Sequence, residues 1–343
     1  MRLLAALLTL FHLAVDGTCA AAMMDYALRE PQWERAAFFF AMYNAIAFGG
    51  QWAAGLALDE RPAWTVRTLA ASPFLLGLGC VPALGPAAQA ALLGLGNCVF
   101  HAAGGRCVLV RSGTFFEPGL FVSGGAVGLA LGLGGMVPAL PFLAACAACA
   151  AGSAVALHRA APGEAMPPDP SAAGMPHAPQ LPLFCCAALL MGGVVLRGFG
   201  GGGSVAGHAL LFACVFAAGK CLGGLFCDKA GYRNTVLAVF LISFAALQLR
   251  GLASALLLAF AFNMTMPLTL RLAHWCFPAH PGMVFGMAAG CLLPGAFFRQ
   301  GSFFPMPGMV AAQFMLLFLA GLLYARHGGA ERARLGYGGA GHA

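Results

Sequence analysis

The sequence predicts an all-α polytopic membrane protein with twelve transmembrane helices in two pseudo-equivalent six-helix halves, and three observations carry that prediction. The 343 residues are 61% hydrophobic and 8% charged, with a mean hydropathy of +0.85, far from the roughly 45–50% apolar and 25% charged of a soluble domain. Turn signals divide the chain into twelve apolar runs. A glycine–aspartate pair recurs at an offset of 169 residues, Gly55 and Asp59 matching Gly224 and Asp228.

A spanning helix needs about 20 mostly apolar residues. The predicted spans are 3–24, 36–58, 68–84, 87–109, 114–137 and 140–157, then 181–199, 204–226, 235–249, 251–270, 281–298 and 307–324. The first begins after Arg2 and ends in small residues, a pattern shared with cleavable leaders. It is expected to be a retained helix, because Asp16 is unusual beside a cleavage site and its removal would leave the repeat with an odd helix count. The one long polar gap, residues 158–180, is rich in Pro, Gly and Ala, as linkers without a packed core are. It separates a first half, 1–157, from a second, 181–325, with a tail at 326–343. In each half the Gly–Asp pair falls where an even-numbered helix leaves the membrane, so the halves repeat in parallel orientation.

Thirteen of the 18 Lys and Arg residues fall on the side that carries both termini. The positive-inside rule therefore places both termini in the cytoplasm, and the cell (inner) membrane is the expected location. The basic residues are scattered singly, without the clustered, aromatic-interleaved patch of a nucleic-acid binder. Most of the 13 cysteines lie in apolar runs as small hydrophobes. Cys146 and Cys149 form a CxxC without a second pair or histidine to complete a metal site. HExxH and GxSxG are absent as well. No enzymatic residue, metal or cofactor is expected.

The second-half loop, Gly224, Asp228, Lys229, Gly231 and Arg233, resembles the pattern G-x-x-x-D-R/K-x-G-R/K-R/K of the major facilitator superfamily of secondary transporters, with Tyr232 at one basic position. In the first half Gly55, Asp59 and Arg61 remain. Such a loop needs glycine for close helix approach, and an acid to meet a neighbouring helix N-terminus or base. The resemblance implies that these loops control which side the transporter faces. "GLGNCVFHAAGGR" in the fourth span and "VSGGAVGLALGLGG" in the fifth resemble fosmidomycin-resistance-type efflux proteins. The proline that often follows the glycines in that family is missing.

Polar residues in the spans supply the candidate site. At 1.5 Å per residue, His12 lies about 14 Å and Asp16 about 20 Å into the first helix; Asn97 and His101 lie about 15 and 21 Å into the fourth, and Asn263 about 17 Å into the tenth. All are near the midplane. The resemblance implies that helices one, four, seven and ten line the central cavity. A buried ionisable group costs about 2.5–3.5 kcal/mol even on insertion scales, so Asp16 must face water, a partner or a cavity. Asp16 is the expected proton-coupling carboxylate, with His12 setting its proton affinity, or with the pair merely packing the helix. Asn97, His101, Asn263 and Thr265 are the expected substrate contacts. Arg197 either attracts an anionic substrate or snorkels at the outer surface, and Lys220 is expected to reach the headgroups. The partners are a small-molecule substrate, protons and the lipid bilayer, with no nucleic acid, in a monomer. The expected function is proton-coupled export of a small organic molecule; the alternatives are an importer of a small metabolite and a non-transporting membrane sensor retaining the fold.

Overall fold

A computed structural model describes residues 2–160, 180–200, 207–298 and 306–327. Among these residues the chain is all-helical. The first half holds α1 (Arg2–Arg29), α2 (Trp33–Gly49), α3 (Gln51–Glu60), α4 (Thr65–Gly79), α5 (Pro86–Arg111), α6 (Phe116–Leu133) and α7 (Ala139–Ala160). The second holds α8 (Gln180–Gly200), α9 (Ala209–Ala230), α10 (Tyr232–Leu247), α11 (Gly251–Cys276), α12 (Pro281–Gly290), α13 (Leu293–Phe298) and α14 (Met306–His327). Eight of these are long and apolar enough to cross a membrane. Most of the gap between the halves, 161–179, and the tail beyond 327 lie outside the described residues.

Among the described residues twelve spans are present, two of them broken. The second predicted span divides at Gly50 into α2 and α3, and the eleventh at Cys291 and Leu292 into α12 and α13. The third ends at Gly79, because Pro82 can start only a short 3-10 turn, Pro82–Leu84. The ninth begins earlier than its apolar run, at Tyr232, where Gly231 takes φ 83° and lets the chain reverse directly from α9. Pro73 and Pro267 sit inside α4 and α11, as membrane helices tolerate when neighbours satisfy the freed backbone groups.

The halves meet along two seams, α6 against α9 and α3 against α12, while α1 packs on α5, α6 and α7. One large apolar cluster runs through both halves, from Leu8 and Phe11 on α1 to Leu268 and Leu272 on α11 and Tyr324 on α14. Small residues at the crossings let backbones touch. A Cβ on Gly55 would strike the backbone of Gly282, and one on Gly224 that of Phe115.

Several cations counted as interfacial are interior. Lys220 on α9 donates to Val122 O at 2.9 Å inside the bundle and does not reach the headgroups. Arg106 and Arg271 are buried, as is Arg197 at 6% exposure, which removes it from the snorkelling position. With these set aside the charge bias between the two ends keeps its sign.

Candidate functional site

His12 and Asp16 are one turn apart on α1, and α5 brings Asn97 and His101, also one turn apart, against them. His12 Nε2 lies 3.2 Å from Asp16 Oδ2 and 2.7 Å from His101 Nε2. Asp16 Oδ1 accepts from Asn97 Nδ2 at 2.8 Å and lies 3.7 Å from His101 Nε2. The two imidazoles meet edge to face, with centroids 4.3 Å apart. The outer ring nitrogens are tied to main chain, His12 Nδ1 to Phe121 O at 2.8 Å and His101 Nδ1 to Asn97 O at 2.9 Å. Thus α1, α5 and α6 fix one polar cluster in an apolar interior, where each bond is stronger than in water and each unpaired group costs more.

The cluster opens into a cavity of about 550 Å³ between the halves, within the size range of small-molecule sites. Phe48, Phe212, Phe216, Phe285 and Met266 form apolar walls, and His12, Asp16, His101 and Lys220 are the ionisable groups on it. The cavity continues past Leu129 and Leu133 on α6 to Ala209 at the start of α9. Gly125 lets the cluster reach it, since a Cβ there would overlap His12 Nε2 and Asp16 Oδ2. Gly125→Ala is therefore expected to push the pair off its geometry and cost about 1–3 kcal/mol, measured as thermal unfolding in detergent beside Gly77→Ala, whose Cβ would meet only ordinary contacts. Equal effects of the two changes would show that no close packing exists at Gly125.

The opposite end of the bundle is closed by two similar latches. Asp59 Oδ1 and Oδ2 accept from Gly282 N at 3.0 Å and Met283 N at 2.9 Å, capping α12, and Arg106 Nε donates to Oδ1 at 2.9 Å. Asp228 accepts from Phe115 N at 2.8 Å and Phe116 N at 2.9 Å, capping α6. Each carboxylate belongs to one half and each capped helix to the other. A helix N-terminus presents unpaired N–H groups and a partial positive charge, so the acid satisfies both. Arg271 adds a third tie, from α11 to Leu109 O at 2.9 Å, to Thr114 O at 2.9 and 3.1 Å and to Ser112 Oγ.

The remaining sequence-named residues stand apart from the cluster. Asn263 Nδ2 and Thr265 Oγ1 bond carbonyls of their own helix, Ala259 O at 2.8 Å and Phe262 O at 2.6 Å. Neither lines the cavity. Arg197 does not line it either, and one of its guanidinium nitrogens is buried without a partner among the described residues. Arg61 lies over the Trp64 ring at 4.7 Å from its centroid, while Lys229 and Arg233 are exposed beside Gly231. Lys220 is the cavity residue that its sequence position did not reveal. A signal was available: Gln51, also buried, precedes Lys220 by the same 169 residues that separate the two Gly–Asp pairs.

Twelve helices in two halves around a central cavity, sealed at one end by paired aspartate latches, make this a multi-pass membrane protein of the major facilitator fold. The solved structures it resembles are transporters of that fold. The E. coli fucose:proton symporter FucP, in its outward conformation, aligns over 95% of this chain and 98% of its own with a TM-score of 0.63 and 13% identity. A bacterial homologue of the iron transporter ferroportin, outward-facing, aligns over 94% and 98% (TM-score 0.55, 13% identity), and the proton:xylose symporter XylE over 94% and 94% (0.53, 13%). No protein-family model and no curated relative matches the sequence.

Proposed function

We propose that the chain is a secondary active transporter that exports a small organic molecule in exchange for protons by alternating access. The observation that carries this reading is the His12–His101–Asp16 cluster opening onto an otherwise apolar cavity. Such a cavity suits a lipophilic molecule, and the cluster supplies ionisable groups where charge is expensive unless it has work to do. The fold of proton-coupled neighbours supports transport, and the sequence likeness of α5 and α6 to efflux proteins supports export.

The latched end is the cytoplasmic one in this reading, with both termini beside it, in the inner membrane, and the protein works as a monomer. The cavity then faces outward. A proton from outside loads onto the cluster and substrate leaves; the latches open, the proton departs inward and a new substrate enters. Asp16 is the coupling carboxylate, Asn97 and His12 position it, and His101 and Lys220 meet substrate. Asn263, Thr265 and Arg197 join only in a state where α8 and α11 turn toward the cavity. Gly55, Asp59, Arg61, Gly224, Asp228, Lys229, Gly231 and Arg233 form the gate.

The test is proton release on adding lipophilic candidate compounds to the purified protein in weakly buffered detergent, beside thermal-shift detection of binding. Compounds that bind should release protons. Binding without release overturns proton exchange. Two of the similar structures are proton symporters, which favours import as the second reading. In proteoliposomes an exchanger accumulates substrate when the lumen is acidic and a symporter when the outside is.

A further inference from the structure

The contact between His12 and His101 is not that of two neutral rings sharing a hydrogen. Each Nδ1 faces a carbonyl oxygen, which can only accept, so each Nδ1 carries its ring's hydrogen. In the neutral rings both Nε2 atoms are left as lone pairs, pointing at each other at 2.7 Å. Asp16 brings a carboxylate oxygen to 3.2 Å from the first and another to 3.7 Å from the second. Three electron-pair donors therefore converge with no hydrogen among them, an arrangement that only a cation can hold together.

We infer that His12, His101 and Asp16 bind a divalent transition-metal ion of the zinc, iron(II) and cobalt(II) class, in competition with the proton. Two imidazoles and one carboxylate suit these ions, whereas magnesium and calcium prefer all-oxygen shells. Each ligand is also braced from behind. Phe121 O and Asn97 O fix the two rings with Nε2 inward, and the Asn97 amide holds the carboxylate. Backing of this kind orients metal-binding histidines and raises their basicity.

The dimensions fit with a small adjustment. One ligand atom from each of the three residues lies within 4.8 Å of the others. Bonds of about 2.0–2.2 Å in tetrahedral geometry set ligand atoms about 3.3 Å apart, so the two Nε2 atoms must part by about 0.6 Å. Gly125 leaves the cavity face of the site clear for the ion's remaining ligands. Lys220, the charged group facing the site from α9, is tied to Val122 O. Cys19 Sγ lies 3.8 Å from Asn97 Nδ2, and Tyr43 reaches it from α2. A protonated Nε2 has no lone pair, so acid must expel the metal.

This inference does not need the transport reading, because binding is measured on the full chain in detergent. Cobalt(II) is titrated into the purified protein and followed by visible absorption. The expected result is one equivalent bound near neutral pH, with the bands of nitrogen and oxygen ligation and without the near-ultraviolet charge-transfer band that would report any of the 13 cysteines. Binding should weaken at pH 5.5, fall at least tenfold in His101→Gln, and persist in the exposed-histidine control His208→Gln. If His101→Gln does not fold, Gly125→Ala replaces it, since it crowds the site without removing a ligand. No binding, a thiolate spectrum, or equal binding in every variant overturns the inference. Cobalt binding without substrate-linked proton release would leave this inference standing and remove the transport reading; the converse result would do the opposite.

Discussion

Asp16→Asn is expected to abolish substrate-linked proton release and to reduce accumulation of substrate against a gradient by at least 100-fold, while downhill exchange continues. The replacement keeps the shape and still accepts from Asn97 through its amide oxygen. Its NH₂ group, however, takes the place of Oδ2 and faces the lone pair of His12, to which it donates permanently the hydrogen that a proton supplies reversibly. The site is held in an imitation of its loaded state. Because the hydrogen bonds are conserved in number, the change should alter stability by no more than about 1 kcal/mol. The measurement is uptake into proteoliposomes with and without a pH gradient. A variant that still concentrates substrate would sink the coupling role.

The second large effect is expected at the latches. Asp59→Ala removes the cap of α12 and the carboxylate partner of the buried Arg106 in one step. Truncating one side of a buried pair costs about 3–5 kcal/mol, and here the cost falls on the closed end alone. At the lower figure the opening equilibrium moves roughly 100-fold. Cys107, next to Arg106 on α5, is fully buried, and Cys227, next to Asp228, is 2% exposed. Both should become reactive toward a soluble alkylating reagent in the variant. Unchanged rates at Cys107 and Cys227 would mean that Asp59 does not hold this end shut.

Residue patterns made the twelve spans legible, because apolar runs and turn residues report directly on what lipid accepts. They did not show that two spans break, since Gly50 and Cys291 lie in continuous apolar sequence and only the packing of α3 on α12 reveals the interruption. The His12–Asp16 pair was readable from helical spacing, and the common depth of Asn97 and His101 from counting. Their meeting near the midplane followed from those depths, but the atom-to-atom pairing did not, because it depends on how α1 and α5 rotate about their axes. That is also why the three ligand-type side chains, drawn from helices far apart in sequence, show no metal spacing. Lys220 was misplaced for a different reason. Its helix runs to Ala230, four residues beyond the predicted end, so the ammonium sits about 15 Å from the terminus, too deep to reach headgroups.

Helix α6 ties these pieces together. Asp228 grips its N-terminus; about 9 Å further along, its consecutive carbonyls at Phe121 and Val122 hold the His12 ring and the Lys220 ammonium. A single helix thus touches the Asp228 latch, the His12–His101–Asp16 cluster and the cation on the cavity wall. Because α6 packs along α1, its bond to His12 lies within the first half, whereas its ties to Asp228 and Lys220 cross between the halves. In the proposed cycle the path from the cluster to the latch is then one helix long, and its length is set by backbone hydrogen bonds that side-chain substitution does not remove.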